Sequence, residues 1–274
     1  LRFAADYSSL QTVDIVPVLA YSINDQWDIG AGFQAQFIRA TFSNYNGPYT
    51  GFSDIDELVA PTQPTKLDAQ GWGYGYTIGI VYKPQACTRL GVSYRSQISE
   101  QLRGNGEQFL MPGDVAPAPT QDFSFNAHTT VDGAVKTPAV LTLSAARDIN
   151  RFTVKATAQL NFWQTFNQIS INMPDAFATN STIPTRWQNA WLGALGAEYR
   201  ATPRFTFRGG VAYDQTPTVN KYRDPRIPDC DRYWFNIGAT YKASEKVSFD
   251  IAYSHIFMQE QTVNVTQASG VSQI

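Results

Sequence analysis

Residues 71–82 read Gly71-Trp72-Gly73-Tyr74-Gly75-Tyr76-Thr77-Ile78-Gly79-Ile80-Val81-Tyr82. Trp72, Tyr74, Tyr76, Ile78, Ile80 and Tyr82 share one parity, against Gly71, Gly73, Gly75, Thr77 and Gly79 on the other. A period of two puts the first set on one face of an extended strand and the second on the opposite face. The same alternation fills 27–38, where Trp27, Ile29, Ala31, Phe33, Ala35 and Phe37 oppose Asp28, Gly30, Gly32, Gln34 and Gln36. It returns in 152–163, with Phe152, Val154, Ala156, Ala158, Leu160 and Phe162 against Thr153, Lys155, Thr157, Gln159 and Asn161.

Short polar links join such strands in pairs at 24–26, 83–88, 147–150, 200–203 and 242–246, and most contain turn formers. Between the pairs lie long segments rich in Pro, Gly, Asn and Asp, at roughly 40–70, 102–136, 165–188 and 215–232. The expectation is ten antiparallel strands with alternating short and long connections. Soluble barrels and sandwiches use strands of about five or six residues. Strands near ten residues with short turns on one side and long loops on the other belong to transmembrane barrels. Tyr21, Trp27, Tyr82, Tyr94, Tyr199, Tyr213, Tyr241 and Tyr253 fall near strand ends, as interfacial girdles require. Asp28, Arg95, Lys155, Glu198, Arg208 and Asp250 then face the lumen, because a charge on the lipid face costs roughly 2–4 kcal/mol at the midplane. The glycine row 71, 73, 75 and 79 also points inward and predicts close approach of another segment.

Composition agrees. The chain has 274 residues, 16% charged and 14% aromatic, with a slightly negative mean hydropathy, so apolar residues are diluted by polar ones throughout. No run approaches the ~18 apolar residues of a membrane-spanning helix. The expected class is all-β, a transmembrane antiparallel β-barrel occupying residues 1–274 as one domain. A net charge of -2 gives no basis for nucleic-acid binding. The start, Leu1-Arg2-Phe3-Ala4, carries no initiator methionine or signal peptide and reads as an internal cut. Cys87 and Cys230 fall at opposite ends of such a barrel, beyond the reach of a disulfide.

Several stretches carry more than a pattern. Gly209-Gly210-Val211-Ala212-Tyr213-Asp214-Gln215-Thr216-Pro217, followed by Ile227-Pro228-Asp229-Cys230-Asp231-Arg232-Tyr233-Trp234, resembles a signature of the long-chain fatty-acid transporter family, which includes aromatic-hydrocarbon uptake proteins. Gly71-Trp72-Gly73-Tyr74-Gly75-Tyr76, Tyr94-Arg95-Ser96 and Phe249-Asp250-Ile251-Ala252-Tyr253 resemble the same family in the same order. The resemblance implies a bacterial outer-membrane barrel of fourteen strands, plugged by an N-terminal hatch, with ligand captured between long outer loops. The ten strands here fit family strands four to thirteen, so the hatch and the end strands are expected to be missing.

The resemblance makes the two longest loops capture loops. The first holds Phe42, Tyr45, Phe52, Leu58 and Val59, and the second Phe109, Leu110, Met111, Phe123 and Phe125. Loops in water have no reason to expose so many large apolar groups unless these pack together or bind something. By resemblance, Arg39 matches an arginine of the inner ligand pocket, while a lysine expected after Trp187 is replaced by Gln188. A neutral amide does not balance a carboxylate as lysine does. That tilts the expected ligand toward neutral hydrocarbons unless Arg39, Lys155 or Arg208 compensates. Asp214, Asp229, Asp231 and Arg232 are expected to brace one outer connection. Asp54-Ile55-Asp56-Glu57 lacks the spacing of a calcium loop.

No catalytic, metal or cofactor site is expected, since His128 and His255 sit in no ligand spacing and no Gly-x-Ser-x-Gly elbow is present. The expected function is passive uptake of small hydrophobic molecules across the outer membrane. Expected partners are that hydrophobic ligand, outer-membrane lipid and lipopolysaccharide, with the chain acting as a monomer. A porin for polar solutes, a surface-interaction barrel and a barrel hydrolase are the competing classes.

Overall fold

The computed structural model describes residues 6–45, 64–110, 125–172, 181–223 and 229–261. These form one antiparallel sheet of fifteen strands. Three crossings are each split in two: β1 (Tyr7–Ile15) with β2 (Val18–Ser22), β5 (Thr88–Arg95) with β6 (Ile98–Leu110), and β7 (Phe125–Thr137) with β8 (Val140–Ile149). The unbroken crossings are β3 (Trp27–Tyr45), β4 (Pro64–Gln85), β9 (Phe152–Asn161), β12 (Ala190–Arg200), β13 (Phe205–Asp214), β14 (Arg232–Lys242) and β15 (Ser248–Met258). That makes ten crossings joined by five tight turns, in the order expected from the period-two segments. β10 (Gln168–Asn172) and β11 (Ser181–Pro184) form an extra hairpin that pairs with β7. The third long segment is therefore partly sheet and not only loop.

The lipid face is the one read from parity. Phe33, Tyr74, Ile78, Leu195, Val211, Phe235 and Ile251 stand exposed on it. Aromatic pairs bound it at both ends. Trp27 stacks on Tyr82 at 4.4 Å, Phe152 on Tyr199 at 4.7 Å and Phe205 on Tyr241 at 4.8 Å beside the tight turns. At the other border Phe37 meets Trp72 at 5.3 Å and Tyr213 meets Tyr233 at 5.2 Å. Ten residues of tilted strand separate Trp27 from Phe37, about 25 Å along the membrane normal, which is the height of an outer-membrane apolar band.

β3 and β4 do not stop at that border; they run 19 and 22 residues. Beyond Phe37 and Trp72 the two faces exchange polarity. Arg39, Thr41, Lys66, Asp68 and Gln70 take over the outward positions, while Ile38, Ala40, Phe42, Leu67 and Ala69 turn inward. This corrects the reading of 40–70 and 102–136 as loops throughout, because 39–45, 64–70, 102–110 and 125–136 continue as strand. The period of two persists there, but its amphipathic sense is inverted.

The three breaks lie at one height. Val16 and Pro17 fall opposite Phe33 and Gln34, Gln34 opposite Gly75, and Ser96 bonds to Tyr76, while Arg95 faces Val140 just past the Pro138-Ala139 break. Pro17 and Pro138 supply no N–H to a ladder, which ends pairing locally. At the third break, Thr77 pairs with Arg95 but Gln70 with Arg103. The six residues 71–76 therefore face the seven residues 96–102, one too many, and β6 starts with a bulge. The extra residue folds β6 across the lumen side of the glycine row. A Cβ at Gly73 would sit 2.4 Å from Ile98 Cγ2, and one at Gly71 only 2.2 Å from the Gln101 carbonyl oxygen. The close approach predicted by the glycines is real, and the approaching segment is the neighbouring strand itself.

The lumen carries paired charges, as the opposite parity requires. Lys83 meets Asp28 at 2.5 Å, Lys155 meets Glu198 at 3.6 Å, and Arg208 bridges Glu198 at 3.2 Å and Asp250 at 3.4 Å. Cys87 in a tight turn and Cys230 in an outer connection are both free thiols. Among the described residues the outer edges of β1, β2 and β15 have no ladder partner.

Candidate functional site

Above the breaks, the inverted faces enclose a cavity of about 220 Å³. Ile38, Ala40 and Phe42 of β3, Leu67 and Ala69 of β4, Leu102 of β6, and Val131 and Val135 of β7 supply its apolar wall. Each comes from alternate positions of a strand, so one continuous sheet presents them together. Ser8, Leu10 and Thr12 of β1 close one side.

The roof is aromatic. Trp163 and Phe166 lie on and beside the 3₁₀ turn Trp163–Thr165, and Trp187 packs against both, at 4.9 and 4.6 Å between ring centroids. The chain is held there by Thr185, whose hydroxyl donates to the Phe166 carbonyl at 2.6 Å. Arg186 adopts a left-handed backbone with φ 44°, an unusual state for a residue with a side chain, and this reversal places Trp187 next to the cavity. Its guanidinium lies 5.0 Å over the Tyr222 ring.

Of the residues singled out from sequence, Phe42 and Trp187 line the cavity. Phe52, Leu58, Val59, Met111 and Phe123 lie outside the described residues, as do the side chains of Tyr45, Phe109, Leu110 and Phe125. Arg39 is a correction. It follows Phe37 on the outward parity, so its guanidinium lies on the outer wall, bonded to Asp68 at 2.9 Å and away from Ile38 and Ala40. There it holds the Asp68 carboxyl below the usual carboxylate range. Gln188 is exposed, gives its N–H to the Pro217 carbonyl at 2.9 Å and does not line the cavity. Arg208 faces the lumen as its parity requires, in the lower part, where Glu198, Asp250 and the Thr240 hydroxyl at 2.6 Å use its donors.

Sequence reasoning missed Ile38, Ala40, Leu67, Ala69, Leu102, Val131, Trp163 and Phe166. The available signal was the unbroken alternation of 38–42 and 66–70, which had only to be read with its faces exchanged.

The outer connection between β13 and β14 is braced as expected. Arg232 contacts Asp214 at 2.9 Å and Asp229 at 3.3 Å, and Asp231 accepts from the Tyr213 hydroxyl and the Thr216 N–H, both at 2.8 Å. Arg232→Ala leaves two half-buried carboxylates without their cation, and a loss of about 1–3 kcal/mol is expected. Limited proteolysis checks it: cleavage within 215–231 should accelerate while the strands stay protected. Among the described residues no three or more His, Cys, Asp or Glu converge as a metal site. His255 has its Nδ1 3.1 Å from the Tyr253 hydroxyl, on the outward face of β15.

A family model described as outer membrane protein transport protein (OMPP1/FadL/TodX) matches residues 2–273. The chain is 27% identical to a long-chain fatty acid transport protein of Escherichia coli, over 97% of this chain and 63% of that protein. It is 25% identical to outer membrane protein P1 of Haemophilus influenzae, over 86% and 54%. The crystal structure of a Pseudomonas aeruginosa FadL homologue superimposes with a TM-score of 0.80 at 26% identity, covering 98% of this chain and 65% of that one. The Pseudomonas putida toluene transporter TodX superimposes at 0.68 and 17% identity, covering 90% and 64%, which shows the fold alone. The chain spans 61–63% of the length of its first curated relatives. Its ten crossings with paired lumen charges are transmembrane antiparallel β-barrel wall, and the chain belongs to the outer membrane protein transport family of OMPP1, FadL and TodX.

Proposed function

We propose that this wall carries small hydrophobic molecules passively across the outer membrane, with the apolar cavity as their first binding site inside the barrel. The observation that supports it is the inversion of the inward face. Above the breaks it is apolar and roofed by Trp163, Phe166 and Trp187; below them it is polar and charge-paired. Burying about 150 Å² of apolar ligand surface there is worth roughly 4 kcal/mol, enough to draw a solute from water and weak enough to release it without an energy source.

The relatives carry names of fatty-acid and toluene transporters, and the cavity favours the neutral end of that range. Arg39 faces outward, Gln188 is uncharged, and Arg208 is paired in the lower lumen. Among the described residues the one cation along the lining is Lys136, on the strand face opposite Val135 and Thr137. Phe42 and Trp187 are the ligand-contacting residues we carry forward from the sequence. The apolar residues of the two longest outer loops (Tyr45, Phe52, Leu58, Val59, Phe109, Leu110, Met111, Phe123 and Phe125) are proposed to pass solute to them. Outward of the upper girdle, Arg39, Lys66 and Arg103 among Asp68, Asp132 and Glu107 form a polar belt suited to lipopolysaccharide head groups. Outer-membrane lipid covers the apolar band below, and the working unit is a monomer.

The test is Ala40→Phe, which extends a ring into the cavity from a strand that keeps its pairing. Binding of p-xylene to the full-length protein should weaken about tenfold or more, the equivalent of 1.4 kcal/mol. Unchanged affinity would sink the assignment of the cavity. A large single-channel conductance in the unmodified protein would favour the porin reading instead.

A further inference from the structure

On β8 the outward face carries Leu141, Leu143, Ala145, Arg147 and Ile149, so Arg147 points at lipid from within the apolar band. Among the described residues it is the one charged side chain on the outward parity between the three breaks and the tight turns. Lumen charges such as Lys155 and Arg208 have partners. Asp148, the neighbour of Arg147 in sequence, points inward and is taken by Arg89 at 3.2 Å, Arg200 at 3.7 Å and the Thr153 hydroxyl at 2.6 Å. No hydrogen bond or ion pair reaches Arg147 among the described residues. A guanidinium facing hydrocarbon with no acceptor is costly, and its flexible stem relieves that cost by carrying the charge to the head-group border. The border is close, because Ile149 pairs with Phe152, and the stack of Phe152 on Tyr199 one ladder step below Arg147 belongs to the girdle beside the turns.

The wall directly above Arg147 is hollow. Leu143 and Ala145 of β8, Ala158 and Ala156 of β9, and Gly193 and Leu195 of β12 form a block of neighbouring outward positions in which only the two leucines, at opposite corners, are large. The four small residues between them floor a depression of about 640 Å³ on the lipid face. Gly193 has no packing reason to be glycine: a Cβ there would meet nothing within 4 Å, and its backbone is not left-handed. Interior glycine weakens a strand, so the space it leaves serves something outside the chain. Arg147 stands at the foot of this depression, about 7 Å below Ala145 on the same face. Its ladder partner is Val154, and Ala156 and Gly193 lie one and two ladder steps farther from the turns on β9 and β12.

We propose that this outer face is a phospholipid site, with an acyl chain lying in the depression and the phosphodiester of its head group held by Arg147. A guanidinium offers paired N–H donors that match two phosphate oxygens. Thr88, the ladder partner of Arg147 on β5, adds a hydroxyl on the same face. The pattern of one cation at the end of an apolar trough fits one phosphodiester with its chain. A second copy of this chain does not fit, since its outward parity at this height presents no acid among the described residues. The membrane presents phosphates at the girdle continuously, so the partner is always at hand. The site lies on the opposite face of the sheet from the apolar cavity, and it does not rest on the reading of that cavity.

The experiment is native mass spectrometry of the full-length protein in a phosphate-free detergent, titrated with palmitoyl-oleoyl phosphatidylglycerol or with the matching diacylglycerol, which lacks the phosphate and its head group. Phosphatidylglycerol should be retained about tenfold more tightly than diacylglycerol. Arg147→Gln should abolish that difference. Gly193→Leu fills the depression away from the phosphate and should weaken binding of both lipids about fivefold or more. Both variants should fold, read as heat-modifiable migration, because one removes a charge from the lipid face and the other adds apolar surface where a Cβ meets nothing. Arg147→Gln alone preserves the test if Gly193→Leu does not fold. Equal retention of the two lipids by the unmodified protein overturns the site, as does a phosphatidylglycerol preference that survives Arg147→Gln. Undiminished binding in folded Gly193→Leu overturns the placement of the chain and the proposal with it. Palmitate that displaces phosphatidylglycerol at equal concentration would assign the face to a transported solute and overturn the phospholipid.

Discussion

Gly104→Ala is expected to cost about 3 kcal/mol or more of folding stability, although it adds one methyl group. A Cβ at Gly104 would sit 1.9 Å from the Asp68 carbonyl oxygen and 2.6 Å from the Ala69 Cα. Both are backbone atoms of the partner strand β4, where Ala69 pairs with Gly104. No side-chain rotation relieves such a contact, so β4 and β6 must separate. They are also the strands that contribute Leu67, Ala69 and Leu102 to the cavity, so ligand binding should fall with stability. Gly193→Ala is the control: a Cβ there meets nothing within 4 Å, and a change within about 0.5 kcal/mol is expected. Urea titration of folding in lipid vesicles compares the two directly. Equal stability for both variants would mean that the bulge at 96–102 does not press β6 onto β4.

Leu195→Arg has the second large expected effect, about 2–4 kcal/mol against membrane folding. Leu195 stands at the middle of β12, 62% exposed, opposite Ala156 on one side and Val211 on the other. That exposure is to hydrocarbon, where a guanidinium finds no partner. Ala194→Arg, one residue away, faces the lumen beside Thr157 and should cost far less, because charges are already accommodated there. The same vesicle assay reads both. The contrast tests the facing of the whole sheet, since a one-residue slip of register would exchange the two outcomes.

These two experiments divide what was legible in the residues from what was not. Leu195 and Ala194 could be assigned to their faces from alternation alone, and so could Asp28, Lys155, Glu198 and Arg208, because hydrocarbon on one side imposes a period of two. The glycines at 71, 73 and 75 announced a close approach, but not which segment makes it. That segment is β6, and its path depends on a one-residue mismatch between strands that meet only in the sheet. The brace around Arg232 was readable because its acids and cation crowd one short connection.

Arg39 shows where reading stopped. Its place at the end of an amphipathic run, and its resemblance to a pocket arginine, suggested an inward cation, yet the same parity that puts Phe37 in lipid carries Arg39 outward to Asp68. The convergence of the roof was equally hidden, since Trp163 stands at the very end of a periodic segment, Phe166 and Trp187 belong to none, and the three meet only through the folding of the 165–188 connection.

The sequence by itself determined the number of crossings, the lipid and lumen faces and the family, because a bilayer forces alternation and closed hydrogen bonding on any chain that crosses it with strands. The tertiary structure alone decided where the cavity lies and what closes it. Two prolines, a bulge and a glycine row, distant in sequence, come to one height only when the strands pair, and there the inward face turns from polar to apolar.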